Sequence, residues 1–181
     1  SAVVRGLSFE VASAGVGQVA VSRRPRVAVI STGDELLAPG EPLARGRIPD
    51  SNGLLVTMLA GDAGAEAKSD HAGDGSGELA AAVNRHLDCD ALILTGGVSV
   101  GAFDPVKSLF EGNESVRFDR VAMQPGKPQA FGRLGEDGPL IFGLPGNPVS
   151  AWVSFQMFVR PALRKMQGAA SLFPAPVPAR A

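Results

Sequence analysis

The sequence predicts an α/β fold on a mostly parallel sheet with an antiparallel edge, and three observations predict it. Residues 26–30 (RVAVI) and 91–95 (ALILT) are short, near-continuous apolar runs, the signature of strands buried on both faces. Stretches of helical spacing alternate with them, and the order strand, helix, strand, helix, strand demands crossovers and therefore parallel neighbours. After residue 115, three short strand-like stretches follow one another too closely for crossovers, which places a hairpin at the edge of the sheet.

Taken in order, residues 1–25 are weakly patterned and read as a connector, with a turn at Gly15-Val16-Gly17, a short strand at 18–21 and the basic Arg23-Arg24-Pro25. The first buried strand ends in Ser31-Thr32-Gly33-Asp34-Glu35-Leu36, and a loop punctuated by Pro39, Gly40, Pro42, Gly46 and Pro49 follows. Asp50-Ser51-Asn52 offers capping oxygens just before Leu54, Leu55, Met58 and Leu59, so a helix is predicted over 51–61. A weak strand at 65–69 leads into the polar loop Asp70-His71-Ala72-Gly73-Asp74-Gly75, and Leu79, Val83 and Leu87, four apart, place a helix at 76–88. Strand 91–95 closes in Gly96-Gly97. Asp104-Pro105, a cap followed by proline at the first helical position, opens a helix over 104–112. Strands are expected at 116–123, 129–134 and 140–142. Asn147-Pro148 starts a helix over 149–167, in which Trp152, Phe155 and Val159 read as a core stripe. The domain proper thus spans 26–168, and residues 169–181, with Pro174, Pro176 and Pro178, form a stiff tail or linker.

Glycine (23) and proline (14) make up about a fifth of the 181 residues, rich in turns but short of low complexity, and 45% hydrophobic residues suffice for a core. With 17 basic against 18 acidic side chains there is no overall positive field, so neither nucleic acid nor an anionic membrane is an expected partner. Any anionic ligand must be met locally. The lone Cys89 excludes a disulfide framework and a cysteine metal cluster, and reads as a buried small hydrophobe. No apolar run approaches the roughly 18 residues of a membrane span and no leader pattern opens the chain, so a cytoplasmic protein is expected. With Ser1 first and no methionine before Met58, the chain is expected to be part of a longer polypeptide.

Ligands of open parallel sheets bind beyond the carboxyl ends of the strands, and four loops have that address. In Ser31-Thr32-Gly33-Asp34-Glu35, two adjacent acids suit a divalent cation or a positioned water, or form a solvated turn. In Thr95-Gly96-Gly97-Val98-Ser99-Val100-Gly101-Ala102-Phe103-Asp104, glycines after a buried strand let backbone amides approach an anion; the spacing matches neither a Walker loop nor a GxGxxG fingerprint. Gln124-Pro125-Gly126-Lys127-Pro128 holds a lysine between prolines, a fixed cation or an ordinary turn. Gly143-Leu144-Pro145-Gly146-Asn147-Pro148-Val149-Ser150 opens a helix whose N-terminal amides and Ser150 hydroxyl suit an anion, or makes a structural turn. Any one loop is weak; four on one edge are not. His71 and His86 read as exposed, without partners at metal-ligand spacing, and no Ser-His-Asp triad or Cys-His pair is visible.

These motifs, together with Asp50-Ser51-Asn52 and in this order, closely resemble the molybdopterin molybdenumtransferases, the MoeA family that includes the gephyrin E domain, from about Arg24 to Gly168. The resemblance implies a three-layer α/β/α, MogA-like molybdopterin-binding domain. It implies the family's reaction, insertion of molybdate into adenylylated molybdopterin with release of AMP, assisted by a divalent cation such as Mg²⁺. Glu35, Asp74 and Asp104 match the family's functional acids and are the candidate Mg²⁺ ligands, and Lys127 matches its motif lysine. The substrate-binding set implied is Thr32, Gly33, Gly96, Gly97, Ser99, Gly101, Pro145, Gly146, Asn147, Pro148 and Ser150. Gln124 stands where many relatives have a second lysine, which lowers the local positive charge. Family members carry further domains on both sides, and a homodimer is implied for the full-length protein. Two other readings stand beside this one. A MogA-type adenylyltransferase carries Thr-Gly-Gly-Thr-Gly where this chain has Thr95-Gly96-Gly97-Val98-Ser99, and a binding or assembly module would turn nothing over in isolation.

Overall fold

The computed structural model describes residues 2–3, 13–15, 18–97 and 105–176. Ahead of the main body, β1 (Ala2–Val3) and β2 (Ala20–Val21) form a small antiparallel pair. Next come β3 (Arg26–Thr32), the two-residue strands β4 (Leu36–Leu37) and β5 (Ile48–Pro49), helix α1 (Ser51–Asp62), β6 (Glu66–Ala72), α2 (Ser76–Arg85) and β7 (Ala91–Thr95). After α3 (Pro105–Leu109) follow β8 (Val116–Arg120), β9 (Pro128–Arg133) and β10 (Leu140–Leu144). The last helical stretch runs through α4 (Pro148–Ser154), a π-helical turn (Phe155–Val159) and α5 (Arg160–Met166).

The main sheet has the order β6-β3-β7-β10-β9-β8. Its first four strands are parallel, and β9 runs antiparallel to both β10 and β8, which is the mixed sheet the sequence predicts. Successive residues of a strand face opposite sides, so a strand covered on both faces must be apolar throughout. That is the case in β3: Ala28 and Ile30 join α2, α3, β8 and β9 in one buried cluster, while Val27 and Val29 join α1, α4 and α5 in the other. Helices therefore cover both faces, giving three layers with two cores.

Several expected boundaries shift. The predicted helix over 76–88 stops at Arg85, and residues 86–88 form a turn that carries Leu87 to the surface. The weak strand at 65–69 extends to Ala72, fully paired with β3. Within the loop expected over 39–49, Ile48–Pro49 pairs with Leu36–Leu37 as a two-residue parallel ladder. The single helix over 149–167 carries a π turn, because Pro161 has no amide to give and its ring would collide with the carbonyl one turn back; the wider turn just before it absorbs both. Trp152 is 47% exposed rather than core, whereas Phe155 and Val159 are fully buried. His86 is buried rather than exposed, its Nε2 donating to Asp70 Oδ2 at 2.8 Å.

Two carboxylates pin the elements together. Asp90, just before β7, receives the Arg23 guanidinium through both oxygens and the Arg26 amide at 2.7 Å. The Arg23 hydrogen bond is the main reason its carboxyl lies below the usual range, against the opposing effect of burial. Burial is also the largest single influence on Asp70 and would raise it, but hydrogen bonds from Arg85, His86 and the His71 amide, with the Arg85 charge, outweigh it and hold this carboxyl low as well. Both groups bind their proton more weakly folded than unfolded, so their stabilisation is complete above the unfolded carboxyl value of about 4 and is lost as pH falls through the lower folded values. The urea midpoint is accordingly expected to stay level from about pH 7 to 5 and to drop below about pH 4. Asp90→Asn is expected to flatten part of that drop, measured by unfolding titrations across the pH range.

Candidate functional site

The carboxyl ends of β3, β7 and β10 open into a cleft of about 700 Å³. Here the crossovers leave the sheet in opposite directions, with α1 packed on one face after β3 and α3 on the other after β7, which is where open α/β sheets hold ligands. On the cleft floor, Thr95 Oγ1 donates to Ser31 Oγ at 3.2 Å and Thr32 Oγ1 to the Thr95 carbonyl at 3.4 Å, tying the ends of the two central strands. Gly96 leaves β7 at φ +89°, and a Cβ there would lie 3.1 Å from the Thr32 carbonyl, so only glycine turns the chain this close to β3.

The first wall is the Gly33–Glu35 turn. Gly33 has φ +145° and is buried, and a Cβ on it would sit 2.5 Å from the Glu35 carboxylate, which folds back over it. The β4–β5 ladder continues this wall, with the Ile48 amide donating to the Glu35 carbonyl at 2.8 Å. Opposite stands the fourth loop. Asn147 caps α4 by accepting from the Val149 and Ser150 amides, while Asn52, at the start of α1, donates to the Gly146 carbonyl at 2.6 Å. Asp50 caps α1 through Gly53, whose missing side chain leaves room for the Asp50 carboxylate and the Ser31 hydroxyl.

Of the residues expected from sequence, Thr32, Glu35, Asp74, Gly96, Gly97, Pro145, Gly146, Asn147, Pro148 and Ser150 line this one cleft. Gly33 is buried and outside the lining. Lys127 is exposed beside Pro128, which lines the cleft, and is itself outside the lining; its loop is held by Gln129 Nε2, which donates to both the Gly126 carbonyl and Ser154 Oγ at 2.6 Å. Ser99, Gly101 and Asp104 fall outside the described residues. One expected feature differs: the Val149 and Ser150 amides at the start of α4 are spent on Asn147, and the Ser150 hydroxyl donates to the same Asn147 Oδ1 at 3.4 Å. Asn52, Thr95, Pro105 and Pro128 join the lining without having been singled out as contacts by motif. Each sits at a strand end or helix start, and that address is the signal that finds them.

The charge of the lining is one-sided. Glu35, Asp50 and Asp74 are there, and no lysine, arginine or histidine is among the described lining residues. Carboxylate oxygens suit a hard divalent cation, which binds proteins through one or two of them and completes its shell with water and ligand phosphate. Among the described residues no three acidic, histidine or cysteine side chains cluster closely enough to hold a metal unaided.

Over residues 28–165 the sequence matches the family model described as "Probable molybdopterin binding domain". The chain belongs to the molybdopterin-binding domain family. Relatives within reach include Molybdopterin molybdenumtransferase 2 of Mycobacterium tuberculosis (strain ATCC 25618 / H37Rv), 45% identical over 165 residues that cover 87% of this chain and 40% of the relative. The molybdopterin molybdenumtransferase of Staphylococcus aureus (strain COL) is 38% identical over 169 residues, covering 90% of this chain and 39% of that protein. This chain thus spans about two fifths of the length of these relatives. Among solved structures, the molybdopterin biosynthesis MoeA protein of Pyrococcus horikosii superposes with a TM-score of 0.79 at 33% identity, covering 90% of this chain and 40% of that one. The tungsten cofactor synthesizing protein MoaB of Pyrococcus furiosus matches with a TM-score of 0.59 at 15% identity, covering 82% and 99%, a likeness of fold. The motif resemblance and the three-layer fold drawn from sequence are borne out by these findings. Among the described residues no helix is long and apolar enough to cross a membrane.

Proposed function

We propose that this domain belongs to a molybdopterin molybdenumtransferase of molybdenum cofactor biosynthesis, and that the full-length protein inserts molybdate into adenylylated molybdopterin with release of AMP. The observation that carries the reading is a cleft at the sheet's switch point into which ten residues from separate motifs converge, in a chain 45% identical to a relative of that name. Both the adenylyl phosphate and molybdate are anions, and a lining with three carboxylates and no cation among its described residues would repel them alone. Glu35 and Asp74 are the groups that would hold Mg²⁺, which would supply positive charge to offset that of the anionic substrates. Thr32 and Ser150 bring hydroxyls to the same cleft, each of which would turn from its present acceptor, the Thr95 carbonyl or Asn147 Oδ1, to donate to a phosphate, while the Gly96 amide stays on the Leu144 carbonyl. Lys127, exposed next to the cleft, supplies a cation for the incoming anion. The full-length protein is proposed to work as a homodimer, which light scattering tests.

Full-length protein incubated with adenylylated molybdopterin, molybdate and Mg²⁺ is expected to release AMP in proportion to the molybdenum inserted, and chelation is expected to stop it. Formation of adenylylated molybdopterin from molybdopterin and ATP would instead establish an adenylyltransferase. Saturable binding of AMP in calorimetry with no turnover in either assay would establish a binding module.

A further inference from the structure

The two acids assigned to the cleft, Glu35 and Asp74, sit on different loops, and neither loop has a regular element of its own at that point. Glu35 belongs to the turn after β3, and Asp74 to the turn after β6. Four hydrogen bonds join these turns. The Gly33 amide donates to the Ala72 carbonyl at 3.2 Å. The Asp34 amide donates to Asp74 Oδ2 at 3.2 Å, and the Asp74 amide returns the bond to Asp34 Oδ1 at 3.1 Å. His71, paired in register with Ser31 on the neighbouring strand, places Nε2 3.0 Å from the Gly33 carbonyl. A carbonyl only accepts, so this nitrogen carries the proton.

We propose that Asp34 and His71 are positioning residues that clasp the β3 and β6 loops together and thereby hold Glu35 and Asp74 at a fixed separation across the cleft. The inference rests on the transferase reading above. Asp34 does not line the cleft, so its carboxylate is spent on the other loop rather than on a ligand. His71 acts through Gly33, the residue over which the Glu35 carboxylate folds, so a shift of the Gly33 peptide moves Glu35 directly. One Asp74 oxygen is engaged by the Asp34 amide, which fixes the carboxylate plane and leaves the other oxygen for the cleft. Side chains that orient ligating groups in this way are worth about 10–100-fold in activity or affinity.

In the full-length protein, Asp34→Ala and His71→Ala are each expected to lower kcat for AMP release by about 10–100-fold with KM changed much less. Asp34→Asn keeps an oxygen for the Asp74 amide and His71→Gln keeps an amide donor for Gly33, and both are expected to recover most of the loss. On an Asp74→Ala background, Asp34→Ala is expected to cost little more, since the Asp74 carboxylate that the Asp34 side chain helps to place is already gone, although the Asp74 amide remains. Amide hydrogen exchange on the 181-residue chain reads the clasp without any turnover: Asp34→Ala should speed exchange at the Asp74 amide, and Asp74→Ala at the Asp34 amide. Unchanged exchange in both, losses that multiply in the double variant, or alanine variants with full turnover would each overturn the proposal. If the unsubstituted full-length protein released no AMP, the transferase reading and the positioning role would fall together, while the exchange result would still decide whether the clasp exists.

Discussion

Glu35→Gln in the full-length protein is expected to lower AMP release by roughly 100-fold or more while leaving the unfolding midpoint nearly unchanged. The side chain is exposed in the cleft and, among the described residues, its carboxylate accepts no hydrogen bond that holds the fold, whereas its backbone carbonyl, which does, is untouched by the substitution. Glutamine keeps the shape and one carbonyl oxygen but removes the charge, so the loss measures the charge. If Glu35 helps hold a divalent cation, raising Mg²⁺ should recover part of the activity, and the apparent Mg²⁺ requirement should move up by a comparable factor. A loss that excess Mg²⁺ does not touch would place Glu35 on the substrate instead. Turnover equal to the unsubstituted protein would remove Glu35 from the mechanism altogether. Gly33→Ala makes a useful companion: a side chain at φ +145° would be strained and would collide with the Glu35 carboxylate, so the same loss should appear without any change in charge.

The fold was legible where burial is double-sided. Residues 26–30 and 91–95 read as central strands because a strand with helices on both faces has no solvent side to mark with polar residues, and they are the second and third strands of the sheet. Edge strands read poorly for the converse reason: β6, at the rim, carries Glu66, Lys68, Asp70 and His71, and its pairing with β3 rather than its composition extends it to Ala72. The β4–β5 ladder, two residues long, has no periodicity to detect. His86 misleads because its neighbours Arg85 and Asp88 are charged, while the carboxylate that accounts for its burial stands sixteen positions earlier on β6.

Much of the candidate site was legible because its chemistry is carried by short motifs at strand ends, and parallel topology delivers all such ends to one edge. What the motifs could not show is division of labour within them. In Gly33-Asp34-Glu35 both acids look alike in sequence, yet one faces the cleft and the other bonds the neighbouring loop. The Asn147 cap likewise consumes the amides that a helix start offers an anion, a competition between local capping and ligand binding that only geometry decides.

Phe155→Ala is expected to destabilise the domain by about 3–5 kcal/mol, read as a fall in the urea midpoint at unchanged m-value. Phe155 is 0% exposed and heads the largest fully buried side chains, in the cluster that joins the final helix to the strands beneath it. The buried positions Ala151, Phe155, Val159 and Leu163 recur every four residues, and in a regular α-helix each such step drifts by about 40° around the axis. The π turn over Phe155–Val159 holds more residues per turn and cancels part of that drift, which keeps the stripe on the sheet, while Trp152, about 100° around the axis from buried Ala151, faces outward. Trp152→Ala should therefore cost much less, although a straight helical reading ranks the two aromatics alike. Phe155→Leu, which retains most of the volume, should lie between them, near 1.5 kcal/mol or below. Equal losses for Phe155→Ala and Trp152→Ala would mean that Trp152 supports the core as much as Phe155 does, against the burial of the two side chains.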